Sequence, residues 1–532
     1  MIEELEITIP PELDLPNKFK HWRVDQAESV NDIVSAGAHV YLLDAPTGSG
    51  KSLVGISSYK RLTVIDQVLD RMTDDVHNYR CIYLTRTIQL QNQVLQDFPG
   101  VMVKGRSNYP CTANPKINCD ECPSSCGLPC TYRIEKRRAI EAELAVLNDA
   151  YYLAEVNGPG QFSGANMVVI DEIDSIESCL MDFIKFTVSQ RQCKHYGLHP
   201  PKDMESLLQW RVWAATSGRA ITTYLDTMEH QLPTNLSMWA PTDIDNNKII
   251  KRGKSFLHQM EMFLREVNDE WILDIENNKN GWVATFKPIT VGPFCEKYLW
   301  RHGARFLGMS GTILDPEIMA QDLGISTYKY QRLDSHFPKE NRLIHFKPVA
   351  NLKYDRMDEE LPKLSEEVAK IIKLYPQENV LVHATSNRIR DYLAEMLPFH
   401  GIDGDKIITH DTATRTDKLD MFKNSQGLVM ISPSFDRGVD LPDDECRCVI
   451  ICKIPYMNLS DKQIKARLAL PNGERWYNLR AIQTLIQMTG RAVRSKDDYC
   501  NTFILDKNFT RLLARTRHLI PKWWLDAIRR EI

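Results

Sequence analysis

Two stretches of this chain end apolar, strand-like runs in residues suited to phosphate chemistry. Val40-Tyr41-Leu42-Leu43-Asp44 reads as a short buried strand, and Ala45-Pro46-Thr47-Gly48-Ser49-Gly50-Lys51-Ser52 follows it directly, with a helical pattern beginning at Leu53. This is the spacing of a phosphate-binding loop in the strand-to-helix context that the chemistry requires. Thr47, Gly48, Ser49 and Gly50 can close backbone N–H groups around phosphates at a helix N-terminus, Lys51 can reach the β and γ oxygens of ATP, and Ser52 can ligate magnesium. The second stretch, Asn166-Met167-Val168-Val169-Ile170-Asp171-Glu172-Ile173-Asp174, is a β run ending in two carboxylates. Asp171 is suited to hold the hydrated Mg²⁺, and Glu172 to orient and deprotonate an attacking water.

Upstream, Arg23 and Gln26 precede a helix-like stretch; a glutamine amide both donates and accepts, so the pair could read an adenine edge or simply open a helix. Downstream, Asn379-Val380-Leu381-Val382-His383-Ala384-Thr385-Ser386 is a strand running into a polar turn, and Gly427–Ser432 is a second strand leading to Phe435-Asp436-Arg437-Gly438-Val439-Asp440. In Gln487-Met488-Thr489-Gly490-Arg491-Ala492-Val493-Arg494, helical spacing puts Gln487, Arg491 and Arg494 near one face. Arginines so placed can clamp a γ-phosphate from a second domain, an effect worth roughly 10³ to 10⁵ in rate. A solvated basic helix is the bland alternative, and it leaves the Gln-Gly-Arg-Arg grouping unexplained.

Five cysteines, Cys111, Cys119, Cys122, Cys126 and Cys130, fall within twenty residues between the two phosphate motifs. Four thiolates suffice for a zinc ion or an iron–sulfur cluster, so one is spare, and spacing alone favours zinc. The other eight cysteines are scattered, several inside apolar runs such as Val449-Ile450-Ile451-Cys452, as expected of buried free thiols in a reducing compartment.

With 532 residues, two to four domains with hydrophobic cores are expected. The acidic start Met1-Ile2-Glu3-Glu4 lacks the pattern of a signal peptide, and no run approaches a membrane span, so a soluble cytoplasmic protein is expected. A net charge of −4 does not advertise a nucleic-acid binder, yet local charge such as Arg133, Lys136, Arg137 and Arg138 can serve a narrow channel or form a solvated helix face.

Together these motifs resemble the XPD/DinG family of superfamily two helicases, nearest its bacterial and phage DinG branch. The resemblance runs from Arg23 to Arg494. It includes Leu84-Thr85-Arg86-Thr87, Lys104-Gly105-Arg106-Ser107-Asn108-Tyr109-Pro110-Cys111, Leu307-Gly308-Met309-Ser310-Gly311-Thr312-Ile313 and Lys453-Ile454-Pro455-Tyr456.

The resemblance implies an α/β fold of two RecA-like motor domains with ATP between them, and two insertions in the first. The expected boundaries are residues 1–100, 161–182 and 281–322 for the first motor, 101–160 for an iron–sulfur domain, 183–280 for a helical arch and 323–532 for the second motor. The family's flanks make Cys111 and Cys130 the outer cluster ligands, with Cys122 and Cys126 between them and Cys119 as alternate, and favour [4Fe–4S] over zinc. The arch holds Trp210, Trp213, Trp239 and Trp271, expected as core packing rather than base-stacking platforms.

The resemblance further implies an ATP hydrolase moving 5′→3′ on single-stranded DNA and opening forked or tailed duplexes, possible R-loops among them, as a monomeric motor. Thr85, Arg86, Thr385 and Ser386 would hold strand phosphates, and Gly438 and Asp440 would join the nucleotide site. An ATP-gated remodelling factor without autonomous unwinding is the alternative. Two departures stand out: Asp174 where the family usually has histidine, and Asn148-Asp149 where it usually has Asn-Tyr.

Overall fold

The computed structural model describes residues 8–73, 79–122, 130–435, 441–490, 493, 495 and 497–530, with the backbone alone at 71–73, 237 and 354. Seventeen strands occur among the described residues. β1 (Val40–Asp44), β2 (Cys81–Thr85), β3 (Val101–Val103), β4 (Leu144–Asn148) and β5 (Met167–Asp171) are followed by β6 (Phe186–Ser189), β7 (Trp271–Asn278), β8 (Gly281–Pro288), β9 (Phe306–Ser310) and β10 (Lys329–Arg332). The rest are β11 (Ile344–Ala350), β12 (Val380–His383), β13 (Ile407–Thr409), β14 (Val429–Ser432), β15 (Cys448–Ile451), β16 (Asn501–Asp506) and β17 (Ile528–Arg530).

Two seven-stranded sheets carry the fold, ordered β10-β1-β9-β5-β2-β4-β3 and β13-β14-β12-β15-β16-β11-β17. Every pairing in both is parallel. The sequence dictates this: β1, β2, β9, β12, β14 and β15 are buried at every residue, as strands covered on both faces by crossover helices must be. These are the two RecA-like α/β units expected from the sequence.

The boundaries between units differ from those expected. β3 and β4 lie in the segment assigned to the cysteine domain, yet both are strands of the first sheet. β10 lies past the expected end of the first motor and pairs with β1. β8 was assigned to the first motor but forms an antiparallel sheet with β6 and β7. The physical reason is common to all three: sheet membership of short strands is decided by distant partners, not by local pattern.

The long helices Leu207–His230 and Pro241–Glu266 form the arch. Trp210, Trp213, Ala214, Ser217, Ile221 and Leu225 recur at three- and four-residue steps and make one buried stripe. The facing helix offers Gly253, where an added Cβ would meet Leu225 at 2.5 Å. Phe186, Phe263, Phe286 and Trp210 pack with ring centroids 4.9 to 5.7 Å apart and fasten the arch to the antiparallel sheet. Trp210, Trp213, Trp239 and Trp271 are all buried, so these tryptophans are core residues as expected. The arch also covers the cysteine segment, where Cys111, Ile117 and Cys122 pack with Leu236, Trp239 and Ile244.

Charged groups close the contact between the two large sheets. Arg467 and Arg480, which the C-terminal motor supplies, both pair with Glu177 and Asp322 of the first. Burial works against the Glu177 charge, but the two guanidinium groups outweigh it and hold its carboxyl below the usual range. Arg475 forms a bidentate pair with Asp315 at 2.6 and 2.8 Å. Among the described residues, no helix is long and apolar enough to cross a membrane.

Candidate active site

The residues singled out by sequence gather at the carboxyl ends of parallel strands, where loops leave the sheet and a cleft opens. The phosphate loop follows β1, Thr85 ends β2, Asp171 ends β5, Ser310 ends β9 and Thr385 lies just beyond β12. A cleft of about 820 Å³ is lined from the first motor by Gly48, Gly50, Lys51, Ser52, Asp171 and Glu172. Gln487, Thr489 and Val493 line it from the second.

Gly48 and Gly50 have φ of +80° and +78°, the left-handed conformation that favours glycine. Lys51 opens the helix Lys51–Thr73, and its ammonium donates to the Ala45 carbonyl at 3.2 Å. Ser52 and Asp171 meet through Tyr83, whose hydroxyl lies 3.1 Å from Ser52 Oγ and donates to Asp171 Oδ2 at 3.2 Å. This pair of oxygen donors suits magnesium, which favours carboxylate and hydroxyl ligands with water. Burial pushes the Asp171 carboxyl above its usual range, offset in part by Lys51. Glu172 has φ +56° and ψ +51°, a conformation costing a non-glycine residue roughly 1–2 kcal/mol. Such strain held at a strand end is typical of a functional turn.

Asp174 ties three motifs together. It is 4% exposed, accepts from Ser310 Oγ at 2.7 Å, and accepts from Gln487 Nε2 at 2.8 Å. Gln487 Nε2 also donates to Thr312 Oγ1 at 2.9 Å. Gln487 belongs to the helix Gly473–Thr489, and Gln483, one turn earlier, donates to the Thr312 carbonyl at 2.7 Å. Arg480, another turn earlier, donates to the Asp174 carbonyl at 3.4 Å. Sequence reading found Gln487 and missed Arg480 and Gln483, although the same helical spacing, run backwards, marks all three. Arg491, Arg494, Gly438 and Asp440 lie outside the described residues.

Arg23 and Gln26 line the same cleft and reach the phosphate loop. Arg23 Nη1 donates to the Gly48 carbonyl and Gln26 Nε2 to the Ser49 carbonyl, both at 2.7 Å. Gln26 Oε1 accepts from the Arg23 N–H at 2.9 Å, so both ends of the amide are engaged. Their observed part is to brace the loop. Phe337 lies over Gly48, where an added Cβ would strike its ring at 2.1 Å.

The four residues expected to hold strand phosphates divide into two kinds. Thr85 Oγ1 and Thr385 Oγ1 are buried without a hydrogen-bond partner. Thr385 also has φ +57°, unusual for a β-branched residue. Arg86 is exposed and donates to Ser178 Oγ at 3.2 Å. Ser386 caps the helix Asn387–Met396 by accepting from the Ile389 N–H.

Within the cysteine segment, Pro110 and Asn118 form an antiparallel bridge, and the Cys111 N–H donates to the Ile117 carbonyl. Cys119 lies within reach of the Cys130 thiol, whereas Cys111 and Cys122 pack with the arch. Cys126 lies outside the described residues. The thiol chemistry fits a four-cysteine centre, and the Cys119–Cys130 contact brings the expected alternate next to an expected ligand. Among the described residues, no three metal-ligating side chains converge.

Residues 23–193 match the DEAD/DEAH box helicase family model and residues 368–527 match a helicase C-terminal domain. A solved XPD helicase superimposes over 96% of this chain and 99% of its own, with a TM-score of 0.62 at 17% identity. The Xpd4 structure from S. tokodaii covers 96% and 100%, with a TM-score of 0.55 at 15% identity. The XPD helicase subunit of general transcription and DNA repair factor IIH from Dictyostelium discoideum is 32% identical over 19% of this chain and 14% of its own length. Both halves of the chain thus match helicase domain families, and its fold is that of the solved XPD helicases. A probable ATP-dependent helicase of Methanocaldococcus jannaschii is 23% identical over 51% of this chain and 46% of its own. The chain thus spans less than half the length of these curated relatives.

One residue of this XPD-like chain departs from ordinary site chemistry. Asp149 opens the helix Asp149–Val156 right after β4, is 2% exposed, and neither carboxylate oxygen has a hydrogen-bond partner. Burial pushes its carboxyl from 3.8 up to about 7, Arg86 opposes the rise, and Glu172 and Asp171 add to it.

In the unfolded chain Asp149 ionises near 4, so between that value and about 7 the fold binds the extra proton and loses stability as pH rises. Asp149→Asn removes this term. Thermal or urea denaturation should find the variant's stability advantage growing by roughly 2–3 kcal/mol from pH 5 to pH 8. An advantage of the same size at both pH values would contradict the burial argument.

Proposed function

We propose that this chain is an ATP-driven helicase that moves 5′→3′ on single-stranded DNA and separates forked or tailed duplexes, in the manner of the DinG branch. The observation that carries the proposal is the direct hydrogen bond from Gln487 of one motor to Asp174 of the other, three residues after the acidic residue that faces the phosphate loop. Hydrolysis at the cleft is thereby linked to the contact between the two motors.

The chemistry follows from the residues. Backbone N–H groups of the phosphate loop and the Lys51 ammonium bind the β- and γ-phosphates. Glu172 orients the attacking water and takes its proton. Ser52 and Asp171 would hold a magnesium ion, whose charge offsets that of the phosphates when it is bound. Arg491 and Arg494 follow the end of the Gln487 helix in sequence and are proposed to reach the γ-phosphate as the motors close. The exposed Arg86 is proposed to hold the strand through its backbone, without reading sequence, with Thr85, Thr385 and Ser386 shaping the strand ends beside it. The cycle alternates grip between the two motors.

The cysteine segment is proposed to carry a [4Fe–4S] cluster, with zinc as the alternative, that fastens a short insertion lacking a large core of its own. Cys111 and Cys130 are the outer ligands, and two of Cys119, Cys122 and Cys126 complete the set.

On tailed duplexes, the protein is expected to unwind substrates with a 5′ overhang in the presence of ATP, and Lys51→Ala to abolish both unwinding and DNA-stimulated hydrolysis. Unwinding of 3′-tailed substrates alone would reverse the polarity. Hydrolysis with no strand separation would assign an ATP-gated remodelling factor instead. Anaerobically purified protein is expected to contain iron and acid-labile sulfide, both lost in Cys111→Ser; stoichiometric zinc without iron would replace the cluster with a zinc centre.

A further inference from the structure

A further link between the motors runs through Leu314, in the turn that follows β9. Its backbone is left-handed, with φ +58°, and across it the Asp315 N–H donates back to the Ile313 carbonyl at 2.6 Å. A three-residue turn of this hand is rare and strained, the more so around a bulky side chain, and such strain persists only where the surroundings hold it.

The holding groups come from the strand that delivers the phosphate loop and from its neighbour. Asp44, the last residue of β1, is 2% exposed and accepts from the Leu314 N–H at 3.1 Å, from the Tyr330 hydroxyl at 3.1 Å and from Arg332 Nε at 2.9 Å. Arg332 Nη2 donates to the Leu314 carbonyl at 2.6 Å, so both ends of the residue are clamped. Tyr330 and Arg332 belong to β10, which pairs with β1 so that Arg332 lies opposite Asp44.

The clamped side chain leaves its own motor. Leu314 is 2% exposed and belongs to the buried apolar cluster that contains Leu479, Ile482 and Ile486 of the helix Gly473–Thr489. The residues on either side are gripped from the second motor as well. Gln483 Nε2 donates to the Thr312 and Ile313 carbonyls at 2.7 and 3.2 Å, and Arg475 holds Asp315. A turn that served the first sheet alone would gain nothing from a strained leucine; here the strain accompanies a peg fixed in one motor and seated in the other. Asp44, Leu314 and Arg332 are absent from the lining of the nucleotide cleft, although Asp44 directly precedes the phosphate loop.

We propose that Asp44 and Arg332 are positioning residues that hold Leu314 as a peg in the second motor, so that the response of the phosphate loop to nucleotide reaches that motor from the end of β1. The route is additional to the one through Asp174 and Gln487, and it rests on the reading of the chain as an ATP-driven motor. It acts on DNA-stimulated turnover and leaves the binding of ATP as it is.

The test compares Leu314→Ala, Leu314→Met and Arg332→Gln with the wild type in two readouts: affinity for a fluorescent ATP analogue, and the ratio of DNA-stimulated to basal ATP hydrolysis. Leu314→Ala and Arg332→Gln are each expected to bind the analogue as tightly as the wild type and to lose most of the stimulation. The double variant should be no worse than the more affected single one, because clamp and peg act as one unit. Leu314→Met, which keeps the volume of the side chain, should retain the stimulation. A purely structural role would reduce the amount of folded protein and leave the ratio unchanged, and that result overturns the proposal. Full stimulation in Arg332→Gln overturns it too, and decides the matter if Leu314→Ala does not fold, since Arg332 is partly exposed on an edge strand. A loss of analogue affinity matching the loss of rate would place the effect in the phosphate loop, and losses that multiply in the double variant would separate clamp from peg; either overturns the proposal. Wild-type protein whose ATP hydrolysis DNA does not stimulate would overturn both the proposal and the motor reading.

Discussion

A buried carboxylate shared between two motors is the interaction on which the rest of this structure depends. Asp174 accepts from Ser310 in its own sheet and from Gln487 in the helix of the other. A charge that deep is tolerated when its oxygens are hydrogen-bonded, and costly when one partner withdraws. Any movement of the helix Gly473–Thr489 relative to the first sheet is therefore felt at Asp174, three residues from Asp171. The phosphate loop and the acidic pair line one cleft, and the Asp174 hydrogen bond ties that side of the cleft to the neighbouring motor.

Around this link the contact combines apolar packing, with Leu314 and Ile318 of the first motor buried in the core of the second, and a set of buried charges. Arg467 and Arg480 hold Glu177 and Asp322, and Arg475 holds Asp315. Buried ion pairs add little net stability over apolar packing, but breaking one by removing a partner commonly costs 3–5 kcal/mol. An interface of this kind makes the loss of any one partner costly to the geometry seen here. Arg467 also stacks over Trp476 at 4.1 Å, fixing the guanidinium before it meets its acids.

Much of this was legible in the sequence because the chemistry sits at strand ends. A run of apolar residues followed by Gly48-Ser49-Gly50-Lys51-Ser52, or ending in Asp171-Glu172, fixes both the element and the group it presents. The parallel sheets followed from the same apolar runs. What could not be read depended on distant partners. β10, with its polar sequence Lys329–Arg332, becomes a strand because β1 lies beside it. The Gln26 amide is equally able to meet a base or a backbone carbonyl, and only the fold selects the carbonyl of Ser49. Likewise the proximity of Cys119 to Cys130 is set by how the segment folds back, which spacing does not encode. At position 174, where the family usually has histidine, the carboxylate accepts from both motors, an arrangement the substitution alone does not reveal.

The most direct test of the coupling is a double-mutant cycle between Asp174→Ala and Gln487→Ala, reading the ratio of DNA-stimulated to basal ATP hydrolysis. Each single variant should lose most of the stimulation, and the double variant should be no worse than either, because the two residues act as one unit. If instead the two losses multiply, the residues act independently, and the carboxylate between the motors is not what joins hydrolysis to movement.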